Sequence, residues 1–160
     1  MTWMLLTPPG VIVFQGAAAL NLDVKGRLAI PTRHRDGLLE GGQSKLVLTA
    51  HPDGCILMYP IGTWDPIRSK VLSFPSLDPQ FSVWKRLLVG FAEDVELDAA
   101  GRVLVSPELR NFASMRKEVM MVGQGSHFEL WDHEAWQRQL ALIMANRESK
   151  LPLGLETFSL

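Results

Sequence analysis

Two arginines follow short turns that would hold a guanidinium in a fixed direction. The turns share the pattern Asp-x-x-Gly-Arg and occupy residues 23–27, the first turn, and residues 98–102, the second turn. The aspartate can hydrogen-bond the backbone of its own turn, and the glycine can adopt a positive φ. The predicted turn-forming residues are Asp23, Gly26, Asp98 and Gly101. A guanidinium presented there can bind a phosphate, or the edge of a guanine through two parallel hydrogen bonds.

Basic residues concentrate around the first turn, although the chain of 160 residues has a formal net charge of −1. That net charge gives no general attraction to nucleic acid or to an anionic membrane, so the placement of the positive groups matters more than their number. The basic residues of this stretch are Lys25, Arg27, Arg33, His34 and Arg35. Only Asp23 and Asp36 oppose them there, whereas Glu93, Asp94 and Glu96 precede the second turn.

A purely structural role is also open for the two turn arginines. Arg27 could pair with Asp23, and Arg102 with Asp98, so that each pair simply stabilises its own turn. Contact with nucleic acid is favoured for Arg27, because its neighbours are basic. It is less favoured for Arg102, because the acidic residues nearby would repel phosphate.

A metal site is not expected. His127 and Glu129 fall on one face of a predicted strand, but His133 lies beyond a helix cap. No further ligand has a spacing that would complete a tetrahedral site.

Nucleophilic catalysis is not expected either. His51 stands near Asp53 and Ser44, but the sequence has no Gly-x-Ser-x-Gly turn, and residues 51–54 have the composition of an ordinary turn. The single cysteine, Cys55, lies in an apolar run and is predicted to be a buried, inert thiol in a reducing compartment. We therefore expect no enzymatic activity, no cofactor and no small-molecule substrate.

The two turns belong to a sequence that occurs twice. The matching segments are residues 22–30 with 97–105, which lie 75 positions apart, and residues 55–60 with 127–132, which lie 72 positions apart. A tryptophan follows four positions after each second segment, at Trp64 and Trp136. Arg35 and Arg110 share one repeat position and are predicted to be helix-end or interface residues rather than base readers. A duplicated unit of this kind favours a pseudo-symmetric body over a single asymmetric active site.

Each repeat is predicted to form strand, turn, strand, short helix, strand, turn, strand and helix. Without long βαβ crossovers, a mainly β fold with peripheral α-helices is expected, in the form of a compact barrel. Each repeat alone is small, so the two should share a core, which could extend to other subunits. Asp132 is a predicted N-cap, with Trp131 and Trp136 packed across it, whereas Pro66 predicts that the matching helix begins only at Thr63.

A helix that begins at Asp78 and Pro79 is predicted to connect the repeats. Its apolar face is predicted to carry Trp84, Leu87, Leu88 and Phe91. The predicted segments are an N-terminal arm at 1–12, the first repeat at 13–72, the connecting helix at 73–90, the second repeat at 91–145 and a tail at 146–160. The arm lacks the features of a signal peptide and no stretch could span a bilayer, so no membrane partner is expected.

The Asp-x-x-Gly-Arg turn, followed by apolar residues and a helix that carries an arginine, resembles the AbrB-like (SpoVT-AbrB) DNA-binding domain. Four blocks together resemble the MraZ family over nearly the whole chain from Val13 onward. The blocks are FQGA at 14–17, LDVKGR at 22–27, KEVMMVG at 117–123 and HFELWD at 127–132. One turn motif alone would be a weak signal, but four blocks in order at matching separations are specific.

The resemblance implies a double-split, swapped-hairpin β-barrel and a ring-shaped homo-oligomer, an octamer or similar. It implies a bacterial transcription factor, cytoplasmic and nucleoid-associated, that binds short direct repeats of double-stranded DNA upstream of its own operon. Such a factor usually represses the division and cell-wall gene cluster. The residues then expected to contact DNA are Arg27, Lys25, Arg33 and Arg102.

Two further expectations follow from the comparison with these families. The MraZ family usually starts with Met where this chain has Val13, so we expect translation to start there, at a GTG codon. AbrB-like barrels also serve as antitoxins that wrap a toxin with a flexible tail, so an antitoxin-like protein-interaction module is the alternative function. The tail here is short, and its apolar residues are Leu151, Leu153, Leu155 and Phe158.

Overall fold

The computed structural model of the chain describes residues 12–39, 42, 44–146, 154, 155 and 157. The predicted arm at 1–12 and tail at 146–160 therefore lie mostly outside the described residues.

Eight strands and five helices alternate along these residues. The strands are β1 (Ala17–Asn21), β2 (Arg27–Ala29), β3 (Lys45–Ala50), β4 (Ile56–Pro60), β5 (Glu93–Glu96), β6 (Arg102–Leu104), β7 (Glu118–Gly123) and β8 (Phe128–Asp132). The helices are α1 (Thr32–Leu38), α2 (Ile61–Leu72), α3 (Pro79–Leu88), α4 (Pro107–Phe112) and α5 (His133–Ala145). The expected mainly β composition with a few helices is confirmed.

The strands form two antiparallel sheets. Six of them pair in the order β1-β7-β8-β4-β3-β5, and β2 pairs with β6 in a separate two-stranded ribbon. An isolated bridge between Leu22 and Leu28 links the ribbon to the end of β1. The strands of the described residues thus form two sheets joined by this bridge.

Strands of the two repeats pair with each other rather than only within a repeat. In the six-stranded sheet Leu20 faces Val119, and Leu46 faces Val95. In the ribbon Leu28 lies opposite Val103, and both side chains are completely buried. The repeats therefore share one core, as the sequence predicted, since neither could bury these residues alone.

Three helices begin at side-chain caps, two of which, Asp78 and Asp132, stand where the sequence predicts a helix start. The side chain of Ser106 accepts a hydrogen bond from Leu109 N, that of Asp78 from Gln80 N, and that of Asp132 from Glu134 N. Each side chain satisfies a backbone N–H that the first helical turn leaves unpaired.

The predicted late start of α2 is wrong. This helix begins at Ile61 rather than Thr63, and Pro66 lies inside it. Trp64 is buried, with its ring 5.7 Å from that of Tyr59, and this packing holds the first helical turn despite the hydrogen bond that proline removes. The matching pair in the second repeat, Trp131 and Trp136, has its ring centroids 6.0 Å apart.

The apolar face predicted for α3 is only partly buried. Leu88 and Phe91 pack against the buried clusters, but Trp84 is 43% exposed, and no residue of α3 is fully buried. The helix contacts α2 and β3, and these contacts leave its apolar face partly exposed.

Candidate nucleic-acid interface

The ribbon of β2 and β6 presents one face to the core and the other to the outside. Leu28 and Val103 point inward, and side chains alternate along a strand, so the residues on either side of them point outward. The outward residues are Arg27, Ala29, Arg102 and Leu104. Two arginines therefore project from one short, outward-facing antiparallel ribbon.

The first turn fixes the direction of Arg27. One carboxylate oxygen of Asp23, Oδ1, accepts hydrogen bonds from the backbone N–H groups of Lys25 and Arg27, each at 2.9 Å. The other oxygen, Oδ2, accepts one from Arg27 Nε at 2.7 Å. Gly26 adopts a φ of +84°, which residues with a side chain rarely adopt.

The second turn repeats this geometry. Asp98 Oδ1 accepts from the backbone N–H groups of Ala100 and Arg102 at 2.9 Å, and Asp98 Oδ2 accepts from Arg102 Nε at 2.9 Å. Gly101 has a φ of +76°. The four predicted turn-forming residues thus form the two turns, and the alternative expectation of Asp–Arg pairing is observed in both.

The pairing leaves part of each guanidinium available. Arg27 and Arg102 each donate from Nε to the aspartate of their own turn. Arg102 Nη1 also lies 3.9 Å from Asp23 Oδ2. Among the described residues the terminal nitrogens of Arg27 make no hydrogen bond, and its side chain is 29% exposed. A guanidinium held at Nε can still offer its two terminal nitrogens to a ligand.

Hydrogen bonds keep both turn aspartates ionised. The backbone N–H of Arg27, helped by its side chain and by the Lys25 backbone, lowers the pKa of Asp23 to about 2. The backbone N–H of Arg102 is the main cause of a lowered pKa for Asp98. The aspartates therefore remain acceptors at neutral pH, and the arginines stay oriented.

Each turn is also held by an arginine from the other repeat. Arg110 donates from Nε to Val105 O at 3.0 Å, and its guanidinium lies against Gly26 of the first turn. Arg35 donates to Ile30 O at 2.8 Å and lies against Gly101 of the second turn. Arg35 and Arg110 therefore lie between the two repeats, each against the turn of the other repeat.

The other predicted contact residues are exposed. Lys25 lies at the tip of the first turn beside Val24, whose side chain is fully exposed. Arg33 lies in the first turn of α1, and within the described residues its side chain makes no hydrogen bond or ion pair. The turns bring Lys25, Arg27 and Arg102 to the ribbon, whereas Arg33 projects from the helix that follows it.

Two basic residues that lie beside the first turn, Lys117 and Arg116, were not predicted as contact residues from the sequence. Lys117 O accepts a hydrogen bond from Leu22 N at 2.8 Å, which places the segment before β7 next to the turn. Arg116 precedes it and donates to Glu134 Oε2 at 2.7 Å. Only the pairing of β7 with β1 places them there, and a sequence repeat does not reveal which strands pair.

Residues considered for metal binding and catalysis have structural partners. The ring of His127 stacks on Tyr59 with centroids 4.5 Å apart, and Glu129 accepts a hydrogen bond from Trp131 Nε1 at 3.0 Å. His51 Nδ1 accepts from the backbone of Asp53 at 3.0 Å within its turn.

The described part of the chain has neither a metal-binding cluster nor a membrane-crossing helix. It contains no group of three or more His, Cys, Asp or Glu residues placed to hold a metal ion. It also contains no helix whose length and apolar character would let it cross a membrane.

Cys55 lies in the apolar cluster beneath α2 and is fully buried, as predicted. Burial is the main cause of a raised pKa for its thiol, and Glu129 nearby adds to the effect. The thiolate form is therefore suppressed at neutral pH.

Comparison with known proteins gives concordant results. A family model described as "MraZ protein", and further as antitoxin-like, matches residues 13–86 and 88–151. A protein of Methylobacillus flagellatus is 58% identical over 148 residues, which cover 92% of this chain and all of the relative. Proteins of an Azoarcus species and of Methylibium petroleiphilum are 54% and 51% identical, each over 92% of this chain. The aligned residues cover 100% and 97% of those two relatives, respectively. All three relatives are named transcriptional regulators.

Proposed function

The chain belongs to the MraZ family, and from that membership we propose that it is a transcriptional regulator that binds double-stranded DNA through the β2–β6 ribbon. The names of the relatives, all transcriptional regulators rather than enzymes, support the general function. The ribbon supports the mode of binding, because a two-stranded antiparallel ribbon is narrow enough to enter the major groove of DNA.

One observation carries this proposal: the outward face of the ribbon holds two arginines, each oriented by an aspartate. Arg27 then contacts a base edge, since its terminal nitrogens are the paired donors that guanine accepts. Lys25 and Arg33, which are exposed and unpaired within the described residues, contact phosphates and supply affinity without sequence preference. Arg102 serves as a second, weaker contact.

A ring of identical subunits would complete the mechanism. One ribbon makes few contacts, so a single subunit binds weakly, whereas several ribbons held in a ring bind several sites at once. Short direct repeats in the DNA would match the direct repetition of subunits around the ring. We propose this assembly, with repression of the chain's own operon on the nucleoid as its consequence.

The architecture we propose for each subunit is a double-split barrel of two repeats, at residues 13–72 and 91–145, joined by the helix at 73–90. The Leu22–Leu28 bridge, and the pairing of strands across the repeats, support closure of the two sheets into one barrel.

The test is binding of the purified protein to the DNA immediately upstream of its own gene. Arg27→Ala should abolish specific binding while leaving the fold and the oligomer intact. The matched control is Arg68→Ala, because Arg68 also pairs with a nearby aspartate, Asp65, at 3.1 Å. It lies on α2, whose main contacts are with α3, β3 and β4. Each phosphate contact that is lost should also reduce the slope of log K against log salt by about one.

An unchanged affinity for Arg27→Ala would remove this residue from the interface. Equal losses for Arg27→Ala and Arg68→Ala would show that removal of any arginine weakens binding, and would contradict the ribbon as the contact surface.

The alternative function is an antitoxin-like interaction module, and the description of the matching family also contains the word antitoxin-like. Its observable consequence is a small protein that co-purifies in stoichiometric amount from the native host. Upstream DNA bound by the protein alone would instead favour the regulator.

A further inference from the structure

The two turns have the same backbone geometry but carry different charges. The first turn, residues 23–27, holds one carboxylate and two cationic side chains, those of Lys25 and Arg27. In the second turn, residues 98–102, alanine replaces the lysine, so one carboxylate faces one cation. A phosphate near the first turn therefore meets more positive charge than a phosphate near the second, and Arg102 Nη1, 3.9 Å from Asp23 Oδ2, also lies close to the first turn.

The neighbouring repeat also brings residues beside each turn. The segment before β7 runs beside the first turn, where Leu22 N donates to Lys117 O. Glu118 lies opposite Asn21 in the sheet, and Lys45 lies opposite Glu96 at the pseudo-equivalent place. By this register the residue that corresponds to Lys117 beside the second turn is Ser44.

Ser44 cannot supply a positive charge at the second turn. Its hydroxyl donates to Glu96 Oε1 at 3.5 Å, so a carboxylate occupies the place that corresponds to the neutral Asn21 of the first repeat. The second turn therefore has an alanine, a serine and a glutamate where the first has two lysines and an asparagine. At the next matched position the charges are reversed, with Glu118 beside Lys117 and Lys45 beside Ser44. Over these matched positions the first turn keeps a surplus of one positive charge over the second.

Lys117 borders an open groove beside the first turn. The groove has a volume of about 390 Å³ and is lined by Leu22, Asp23, Val24, Arg110, Met115, Arg116 and Lys117. The Asp23 carboxylate in its wall already accepts three hydrogen bonds from its own turn. Its negative charge is thus already engaged by Arg27 before a phosphate arrives.

Lys117 is the groove cation whose charged group is not engaged elsewhere. Arg110 is bound to Val105 O, and Arg116 is bound to Glu134 and approaches Asp132 at 3.5 Å. Within the described residues the Lys117 ammonium makes no hydrogen bond or ion pair, and the residue is exposed. Lys117 also borders a second groove that contains the carboxylates of Glu118, Asp132 and Glu134, and Arg116 pairs with the last two of these.

We propose that Lys117 of the second repeat contacts a DNA phosphate beside the first turn. The first turn together with Lys117 then makes the stronger contact to DNA, and the second turn makes the weaker one. This inference rests on the proposed function. The phosphate that Lys117 binds belongs to the backbone that flanks the bases at Arg27. The duplicated unit thus builds one strong site from parts of both repeats.

The test compares Lys117→Gln with Lys70→Gln in the full-length protein. Lys70 is also exposed but lies on α2, away from the ribbon. Both variants lose one positive charge, so any general effect of net charge is equal in the two. Binding is measured by fluorescence anisotropy with the upstream DNA and with a scrambled duplex, across a range of salt, and melting temperature reports the fold.

Lys117→Gln should weaken binding to both duplexes by about three- to tenfold for each engaged subunit, and should reduce the salt slope by about one per subunit. The preference for upstream over scrambled DNA should not change, because a phosphate contact carries no sequence information. Lys70→Gln should have no comparable effect.

Equal effects of the two lysine variants would overturn the inference, as would a changed sequence preference with an unchanged salt slope. Failure of the proposed function gives a different result, in which the wild-type protein binds neither duplex, or in which Arg27→Ala binds as well as wild type. If Arg27→Ala abolishes binding and Lys117→Gln does not weaken it, the function stands and the contact at Lys117 is wrong.

Discussion

Substitution of Gly101 by alanine tests the contact between the repeats at the second turn. A Cβ atom at Gly101 would lie 2.2 Å from Arg35 Cζ and 2.3 Å from Arg35 Nε, so the guanidinium must move. Its hydrogen bond to Ile30 O would then be lost. Gly26→Ala is milder, because its Cβ would lie 2.9 Å from Arg110 Cζ.

Gly54→Ala provides the matched control. Gly54 has a φ of +93°, and a Cβ added there would have no atom within 4 Å, so this variant is destabilised by the backbone conformation alone. That cost is about 1–2 kcal/mol for a left-handed residue with a side chain. Gly101→Ala adds the loss of a partly exposed hydrogen bond from a charged donor, which brings its destabilisation to about 2–4 kcal/mol. We expect the order Gly101→Ala, then Gly26→Ala, then Gly54→Ala.

Urea denaturation of the three variants measures these differences. Thermal unfolding provides a second measure, because in a domain of this size each 1 kcal/mol of destabilisation should lower the melting temperature by about 2–4 °C. Arg35→Ala in the Gly101→Ala background should recover part of the loss, because the displaced side chain is then absent. Equal destabilisation by Gly101→Ala and Gly54→Ala, with no coupling to Arg35, would refute the reasoning.

Three further predictions concern the turns and the buried thiol. Arg102→Ala should weaken binding to upstream DNA, but less than Arg27→Ala does, in the same anisotropy assay; a larger loss for Arg102→Ala would contradict the inequality of the turns. The folded-state pKa of Asp23 is about 2, below its ordinary value of 3.8, so its stabilising effect is present above pH 4 and is lost as the pH falls toward 2. Asp23→Asn should therefore reduce the loss of unfolding free energy that denaturation measures between pH 5 and pH 2. An unchanged dependence of that free energy on pH would argue against the hydrogen bonds of Asp23. Cys55 should resist alkylation at pH 8 in the folded protein and react once urea unfolds it, because burial raises the pKa of its thiol; rapid reaction in the native state would contradict its burial.

The turns could be predicted because their geometry is local. An aspartate that binds the N–H groups two and four residues later, and a glycine that accepts a positive φ, are specified within five residues. The helix caps at Asp78, Ser106 and Asp132 are local for the same reason. The start of α2 was not predictable in this way, because the packing of Trp64 on Tyr59 outweighs the local signal of Pro66.

Contacts between the repeats could not be predicted, because the repeated pattern is compatible with several strand pairings. Alternation of side chains fixes which residues face the core, but not whether β1 pairs within its repeat or with β7. The position of Arg35 against Gly101, and of Lys117 beside Leu22, follows only from the pairing that the structure adopts. The candidate interface therefore combines turns that the sequence specifies with neighbours that the fold supplies.

Substitution of Arg27 by lysine is the most direct test of the claim that Arg27 reads a base. Lysine keeps the charge but lacks the paired donors of a guanidinium. The measurement is the ratio of affinities for upstream and scrambled duplex at one salt concentration. We predict that Arg27→Lys still binds both duplexes but that the ratio falls close to one. A ratio equal to that of the wild-type protein would contradict the account, since Arg27 would then act only as a positive charge.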